Sequence, residues 1–173
     1  MVLEVGTGLG YQTAVLAELA GRVYSVEIID ELAQRAVQRL KREGYSNIAV
    51  KVGNGYFGWP EQAPFDKVIV TAAADLIPAS LINQLKPGGK MVIPVGLPDA
   101  QQLLVADKGL NGRVATKQIR YYSRCWRIRP ASITAFLMAP SRRPLPKSID
   151  YREGCEELAH QLAARRSGTE GLR

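Results

Sequence analysis

The sequence predicts an α/β chain built on a mostly parallel open sheet, with helices on both faces and an antiparallel hairpin at one edge. Three observations carry that prediction. Strand-like and helix-like segments alternate through residue 95. Gly21, Gly44, Gly53 and the run Lys86-Pro87-Gly88-Gly89 fall where elements should end. Beyond residue 100, two adjacent strand-like segments flank Gly109-Leu110-Asn111-Gly112, the pattern of a hairpin.

The elements follow in order. Residues 2–5 form a short strand that opens directly into Gly6-Thr7-Gly8-Leu9-Gly10. A helix over 11–20 has Ala14, Leu16, Ala17 and Leu19 as good formers, and Gly21 at its C′ position. Residues 22–27 alternate as a strand does. Asp30 is placed to cap a helix through residue 43, with Leu32, Ala36 and Leu40 on one face, Val37 beside it and Gly44 as the stop. Residues 47–52 make a third strand, followed by the turn Gly53-Asn54-Gly55. Residues 66–72 are an apolar run bounded like a buried parallel strand. Pro78 at a first helical position begins a short helix to residue 85, which the Lys-Pro-Gly-Gly run breaks. Residues 91–95 are the fifth strand, and 102–107 with 114–122 the hairpin.

A length of 173 residues suits one domain with a sizeable core. The regular pattern fails after residue 122. We therefore expect a domain over 1–122 and a basic, irregular extension over 123–173, with a possible amphipathic helix at 151–166. The net charge of +7 belongs to that extension: residues 1–112 hold 10 Lys and Arg against 11 Asp and Glu, and residues 113–173 hold 13 against 5. A basic segment of this kind is more often solvated than bound to phosphate backbones, so nucleic acid is not the expected partner. The longest uncharged run, residues 5–17, holds 13 residues, short of the ~18 that a membrane span needs. The start has no basic n-region and no apolar h-region, so a secretory signal is not expected and the cytoplasm is the default compartment. Two cysteines and one histidine exclude a disulfide framework, a four-thiolate zinc site and a His-rich metal site. Cys125 reads as a spectator, His160 as an exposed helix residue and Trp59 as packing beneath a loop.

The chemistry concentrates around the glycine loop. Gly6, Gly8 and Gly10 stand after a strand and before a helix, where main-chain N–H groups can meet a ligand closely. The spacing is Gly-x-Gly-x-Gly. A dinucleotide fingerprint needs its third glycine one residue later, so NAD is not expected, and no Gly-Lys-Ser/Thr follows to make a P-loop. Glu27 ends the second strand, placed to accept both hydroxyls of a ribose. Glu4, ahead of the loop, would pair with a cationic group such as an amine. A ligand with an adenosine end and a free amino acid end satisfies both, and S-adenosyl-L-methionine has that form.

The run at residues 2–17, Val-Leu-Glu-Val-Gly-Thr-Gly-Leu-Gly-Tyr-Gln-Thr-Ala-Val-Leu-Ala, closely resembles the cofactor motif of bacterial protein-L-isoaspartate O-methyltransferases. The resemblance continues through Gly53-Asn54-Gly55-Tyr56, Ala63-Pro64-Phe65-Asp66, Val70-Thr71-Ala72-Ala73-Ala74, Ile77-Pro78, Gln84-Leu85-Lys86-Pro87-Gly88-Gly89 and Val92-Ile93-Pro94-Val95-Gly96. It covers roughly residues 2–122. It implies a Rossmann-like S-adenosylmethionine-dependent methyltransferase fold. The implied reaction moves a methyl group to the α-carboxylate of L-isoaspartyl residues in damaged proteins and peptides, a repair reaction. Such a carboxylate is already ionised at neutral pH, so no strong base is required. In this likeness Glu4 and Gly6, Thr7, Gly8 and Gly10 line the methionine end. Glu27 and Ile28 hold the ribose side, Asn54 and Gly55 border the adenine, and Thr71, Ala72 and Ala73 form a substrate-side wall.

The chain departs from the family pattern in three places. Asn54 stands where the family usually has Asp, which removes a charge from the adenine contact and implies weaker cofactor binding. The family's Ser-bearing substrate loop precedes the first strand, so the resemblance places no catalytic residue within this chain. It implies little methylation by the chain as written, and activity in a form extended upstream. After Ile119-Arg120-Tyr121-Tyr122 the run Ser-Arg-Cys-Trp-Arg-Ile-Arg-Pro leaves the family's closing-strand pattern. Two other readings stand beside this one: another S-adenosylmethionine-dependent methyltransferase, acting on RNA or a small molecule, and a non-catalytic cofactor-binding remnant. Oligomeric state is not legible in the sequence.

Overall fold

A computed structural model describes residues 1–97 and 100–119. They form a seven-stranded sheet in the order β3-β2-β1-β4-β5-β6-β7, where β1 is Val2–Val5, β2 Val23–Glu27, β3 Ile48–Val52, β4 Phe65–Val70, β5 Leu85–Val95, β6 Gln102–Lys108 and β7 Val114–Ile119. The first five strands are parallel, while β6 and β7 pair antiparallel at the edge. Three helices cross between strands: α1 over Tyr11–Leu19, α2 over Asp30–Arg42 and α3 over Ala79–Asn83. This is the architecture expected from the alternation of elements. The proposed helix at 151–166 and the readings of Cys125 and His160 lie outside the described residues.

Alternation along the strands divides the core into two apolar layers. On one face Val2, Val23, Ile69 and Val92 pack with Leu16 and Ala17 of α1. On the other, Leu3, Val5, Val68, Val70 and Met91 pack with Leu81 of α3. Right-handed crossovers require helices on opposite faces once the chain reverses direction across the sheet, and it does so after β3. β1 and β4 are therefore neighbours from the two halves, and their carboxyl ends frame the crevice in which ligands of such sheets bind.

Four local expectations change. Gly21 is not left-handed: Ala20 turns extended at once into β2, and the Asn47 amide caps the helix end by donating to the Ala17 and Ala20 carbonyls at 2.8 and 3.0 Å. Asp30 is the first residue of α2 rather than its cap; Ile29 holds that position, and the Asp30 carboxylate accepts a hydrogen bond from Gln34. Pro78 caps α3 from outside the helix. Lys86-Pro87-Gly88-Gly89 does not precede the fifth strand but belongs to it, as an irregular stretch. Phe65 faces Leu85 and Lys67 faces Lys90, so two steps on β4 span five on β5. Gly44, by contrast, ends α2 in the left-handed conformation expected of it. Trp59 packs edge-on against Tyr24 at 5.4 Å as part of the core margin.

Candidate functional site

The loop after β1 is fixed from several sides. Gly6, Gly8 and Gly10 all lie in the left-handed region, at φ 96°, 53° and 83°. At Gly6 a side chain is also excluded by space, because an added Cβ would stand 2.3 Å from the Thr71 hydroxyl oxygen. That hydroxyl shares its one proton between the Val5 and Gly6 carbonyls, tying the end of β4 to the start of the loop. The Gly6 N–H donates to the Val26 carbonyl, and the Gly10 N–H to that of Thr7. From α2, the Arg39 guanidinium donates to the Leu9 carbonyl at 2.7 Å. Around Gly8 the space is open, with nothing within 4 Å of an added Cβ.

Glu27 ends β2 beside this loop, where the sequence places it. Its Oε2 accepts the Gly8 N–H at 2.8 Å and its Oε1 accepts the Ile29 N–H at 3.0 Å. The carboxylate is thus oriented by two backbone donors while each oxygen keeps a lone pair. Ile28 next to it is 67% exposed, an apolar side chain left open beside the carboxylate.

Glu4 is fully buried on the face that α1 covers. Its Oε2 accepts hydrogen bonds from the Thr13 and Ser25 hydroxyls, both at 2.5 Å, while its Oε1 is buried without a hydrogen-bond partner. Ser25 in turn pairs with the Thr7 hydroxyl at 2.6 Å. Burial pushes the Glu4 carboxyl up to about 7; the hydrogen bonds from Ser25 and Thr13 oppose that shift, and the Glu27 charge adds to it. Within the chain the carboxyl's partners are hydroxyls on one oxygen, which tie it to the support beneath the loop and leave the other oxygen open.

Asn54 caps a turn of 3₁₀ helix over Gly55–Phe57, its amide oxygen accepting the Tyr56 N–H at 2.9 Å. Gly55 lies so close to β1 that an added Cβ would meet a Val5 methyl at 2.3 Å. Thr71 is half-buried, whereas Ala72 and Ala73 are exposed past the end of β4. The structure therefore gathers Gly6, Thr7, Gly8, Gly10, Glu27 and Ile28 at the carboxyl ends of β1 and β2, with Asn54 and Gly55 after β3 and Thr71, Ala72 and Ala73 after β4. Thr71 acts as a clamp on the loop. No group of three or more His, Cys, Asp or Glu side chains placed to hold a metal occurs among the described residues.

Comparison with known proteins agrees with this geometry. The family model described as Protein-L-isoaspartate(D-aspartate) O-methyltransferase (PCMT) matches residues 1–123. The chain belongs to this family. A curated Protein-L-isoaspartate O-methyltransferase 1 from Polaromonas sp. is 67% identical over 118 residues, 68% of this chain and 50% of that protein. Protein-L-isoaspartate O-methyltransferase 2 from Syntrophobacter fumaroxidans is 59% identical over 119 residues, 68% of this chain and 48% of that protein. The chain spans about half the length of these curated relatives. Among solved structures, a protein-L-isoaspartate O-methyltransferase superposes with a TM-score of 0.61 at 31% identity, covering 72% of this chain and 41% of that one. A Plasmodium falciparum structure, described as a putative protein-L-isoaspartate O-methyltransferase in complex with S-adenosyl-L-homocysteine, shares the fold at TM-score 0.58 and 24% identity, covering 68% of this chain and 61% of that one.

Ser25 and Arg39 are the members of the site region that lie outside the motif, while Thr13 lies within it but carries no role there. A signal for Ser25 exists: it is the lone aliphatic hydroxyl in the strand Val-Tyr-Ser-Val-Glu, and parallel register puts it opposite Glu4. Arg39 carries no such signal, since its reach to Leu9 depends on how α2 packs.

Proposed function

We propose that the chain binds S-adenosyl-L-methionine across the carboxyl ends of β1, β2 and β3, and that its protein transfers the methyl group to the α-carboxylate of L-isoaspartyl residues in damaged proteins and peptides. The observation that carries the cofactor half is the Glu27 carboxylate, held between the Gly8 and Ile29 N–H groups beside the glycine loop. The residues present fit the group. Open space stands over Gly8, one buried oxygen of Glu4 lacks a partner, and the exposed Ile28 offers an apolar edge. Membership of the family supports the substrate half.

When bound, S-adenosyl-L-methionine supplies a methyl group made electrophilic by its sulfonium. In this reading Glu27 accepts the two ribose hydroxyls on the lone pairs its backbone donors leave. The backbone from Gly6 to Gly10, with Thr7, borders the methionine end, and Glu4 supports it from below. Asn54 and Gly55 border the adenine, with Asn54 accepting through its amide oxygen and without the charge of an Asp. Thr71 fixes the loop, while Ala72 and Ala73 flank the side from which the substrate arrives. The substrate carboxylate is ionised at neutral pH, so the protein's task is alignment of nucleophile, methyl and sulfur. The assignment of residues 1–122 to the cofactor domain and of 123–173 to an extension, and a cytoplasmic location, are parts of the same proposal. Among the described residues no helix is long and apolar enough to cross a membrane.

Two measurements test the proposal. Calorimetry with S-adenosyl-L-homocysteine should show saturable binding, weakened in Glu27→Ala by on the order of 1–3 kcal/mol through loss of charge-assisted hydrogen bonds. Equal affinity in both would remove Glu27 from the site. Transfer of tritiated methyl to an isoaspartyl peptide tests the substrate half, with the 173-residue chain and a form extended upstream assayed side by side. Transfer to RNA but not to the peptide, by either form, would replace the substrate assignment.

A further inference from the structure

We propose that Ser25 is a positioning residue of the cofactor site, acting through Thr7 to hold the glycine loop in its ligand-ready form. The inference rests on the cofactor reading above. Ser25 sits on a central strand, fully buried, at a place where every alternative apolar side chain would add to the core. A buried hydroxyl is costly unless it is hydrogen-bonded, and this one is bonded twice. It donates to Glu4, which fixes its proton, so the Thr7 hydroxyl must be the donor in the Thr7–Ser25 pair.

The consequence is directional. Thr7 lies within the loop, 3% exposed, and its hydroxyl is anchored downward onto β2 through Ser25. Its carbonyl meanwhile receives the Gly10 N–H that opens α1. The next residue, Gly8, donates its N–H to Glu27, two places beyond Ser25 on the same face of β2. One face of β2 therefore sets the loop at two consecutive residues, Thr7 through Ser25 and Gly8 through Glu27. Thr13 completes the arrangement by donating to the same Glu4 oxygen from α1. The loop's path depends on a line of hydroxyls, Thr7 to Ser25 to Glu4, that ends on a buried carboxyl.

This predicts a selective effect. The part of the ligand bordered by the loop is the amino acid end, while ribose and adenine rest on Glu27, Ile28 and the turn at Asn54. Ser25→Ala should weaken S-adenosyl-L-homocysteine about tenfold, the loss of roughly one hydrogen bond's worth of orientation, and leave 5′-methylthioadenosine, which lacks the amino acid end, nearly unchanged. Ser25→Thr, which keeps the hydroxyl, should restore the affinity. Thr7→Val removes the donor at constant volume from the other side and should reproduce the same split; it serves where Ser25→Ala fails to fold. Calorimetry on the full chain gives all these numbers without an activity assay. A loss shared equally by both ligands, or none for S-adenosyl-L-homocysteine, overturns the positioning role. If the unaltered chain binds neither ligand, the cofactor reading fails and this inference falls with it.

Discussion

Gly6→Ala is expected to destabilise the fold by about 2–3 kcal/mol and to abolish binding of S-adenosyl-L-homocysteine. Two independent costs add at this residue. Its φ of 96° lies in the left-handed region, where a Cβ costs about 1 kcal/mol or more. The added methyl would also stand 2.3 Å from the Thr71 hydroxyl oxygen, so that side chain must move. Moving it breaks the bifurcated bond that its single proton makes to the Val5 and Gly6 carbonyls, worth on the order of 1 kcal/mol. Gly8→Ala is the internal control. It shares the left-handed backbone, at φ 53°, but has open space around it, so it should cost only about 1 kcal/mol in stability. Its methyl would project into the region assigned to the cofactor, so it should still weaken binding. Urea unfolding of the two variants decides the matter. Equal destabilisation would mean that Thr71 yields freely and does not clamp the loop.

That contrast between two glycines shows where the sequence speaks and where it is silent. The motif marks Gly6 and Gly8 alike, because both need a left-handed backbone beside a ligand. Only the packing of Thr71, 65 residues away in sequence, separates them. The parallel core was legible for a similar reason: the segment at residues 66–72, which holds most of β4, is rich in β-branched residues and bounded as a buried strand is. Glu27 was legible because strand length fixes where a strand-end residue falls. Glu4 was half legible. Its place before the loop is plain, yet alternation puts it on the α1 face with Val2, and this fact of register surrounds the carboxyl with the hydroxyls of Thr13 and Ser25. The helix ends were misread where the cap comes from elsewhere. Asn47 replaces Gly21 as the cap of α1, and no local pattern foretells a side chain arriving from the start of β3. The Lys-Pro-Gly-Gly run reads as a break because proline and glycine usually end elements, whereas here they make an irregularity that β5 carries within itself.

The burial of Glu4 has a measurable result in the pH dependence of stability. Its carboxyl rises from the ordinary 4.5 to about 7, chiefly because burial penalises the charged form. A folded-state value above the unfolded one means that the native protein binds the proton more tightly. The stabilisation is therefore complete below about 4.5, lost progressively as pH rises towards 7, and absent above that. A shift of this size corresponds to about 3 kcal/mol between the two limits. Glu4→Gln keeps the shape and the acceptor for Thr13 and Ser25 but cannot ionise, so this component of the pH dependence should vanish. Unfolding free energies of the two proteins at pH 5 and pH 8 provide the double difference, in which every other titrating group cancels. The unaltered chain should lose about 2–3 kcal/mol more than the variant over that interval, a difference of some 5–10 °C in midpoint for a chain of this size. Parallel curves would show that burial does not raise the Glu4 carboxyl in the folded chain. A steeper fall in the variant would mean that the hydroxyls of Thr13 and Ser25 favour the carboxylate strongly enough to outweigh its burial.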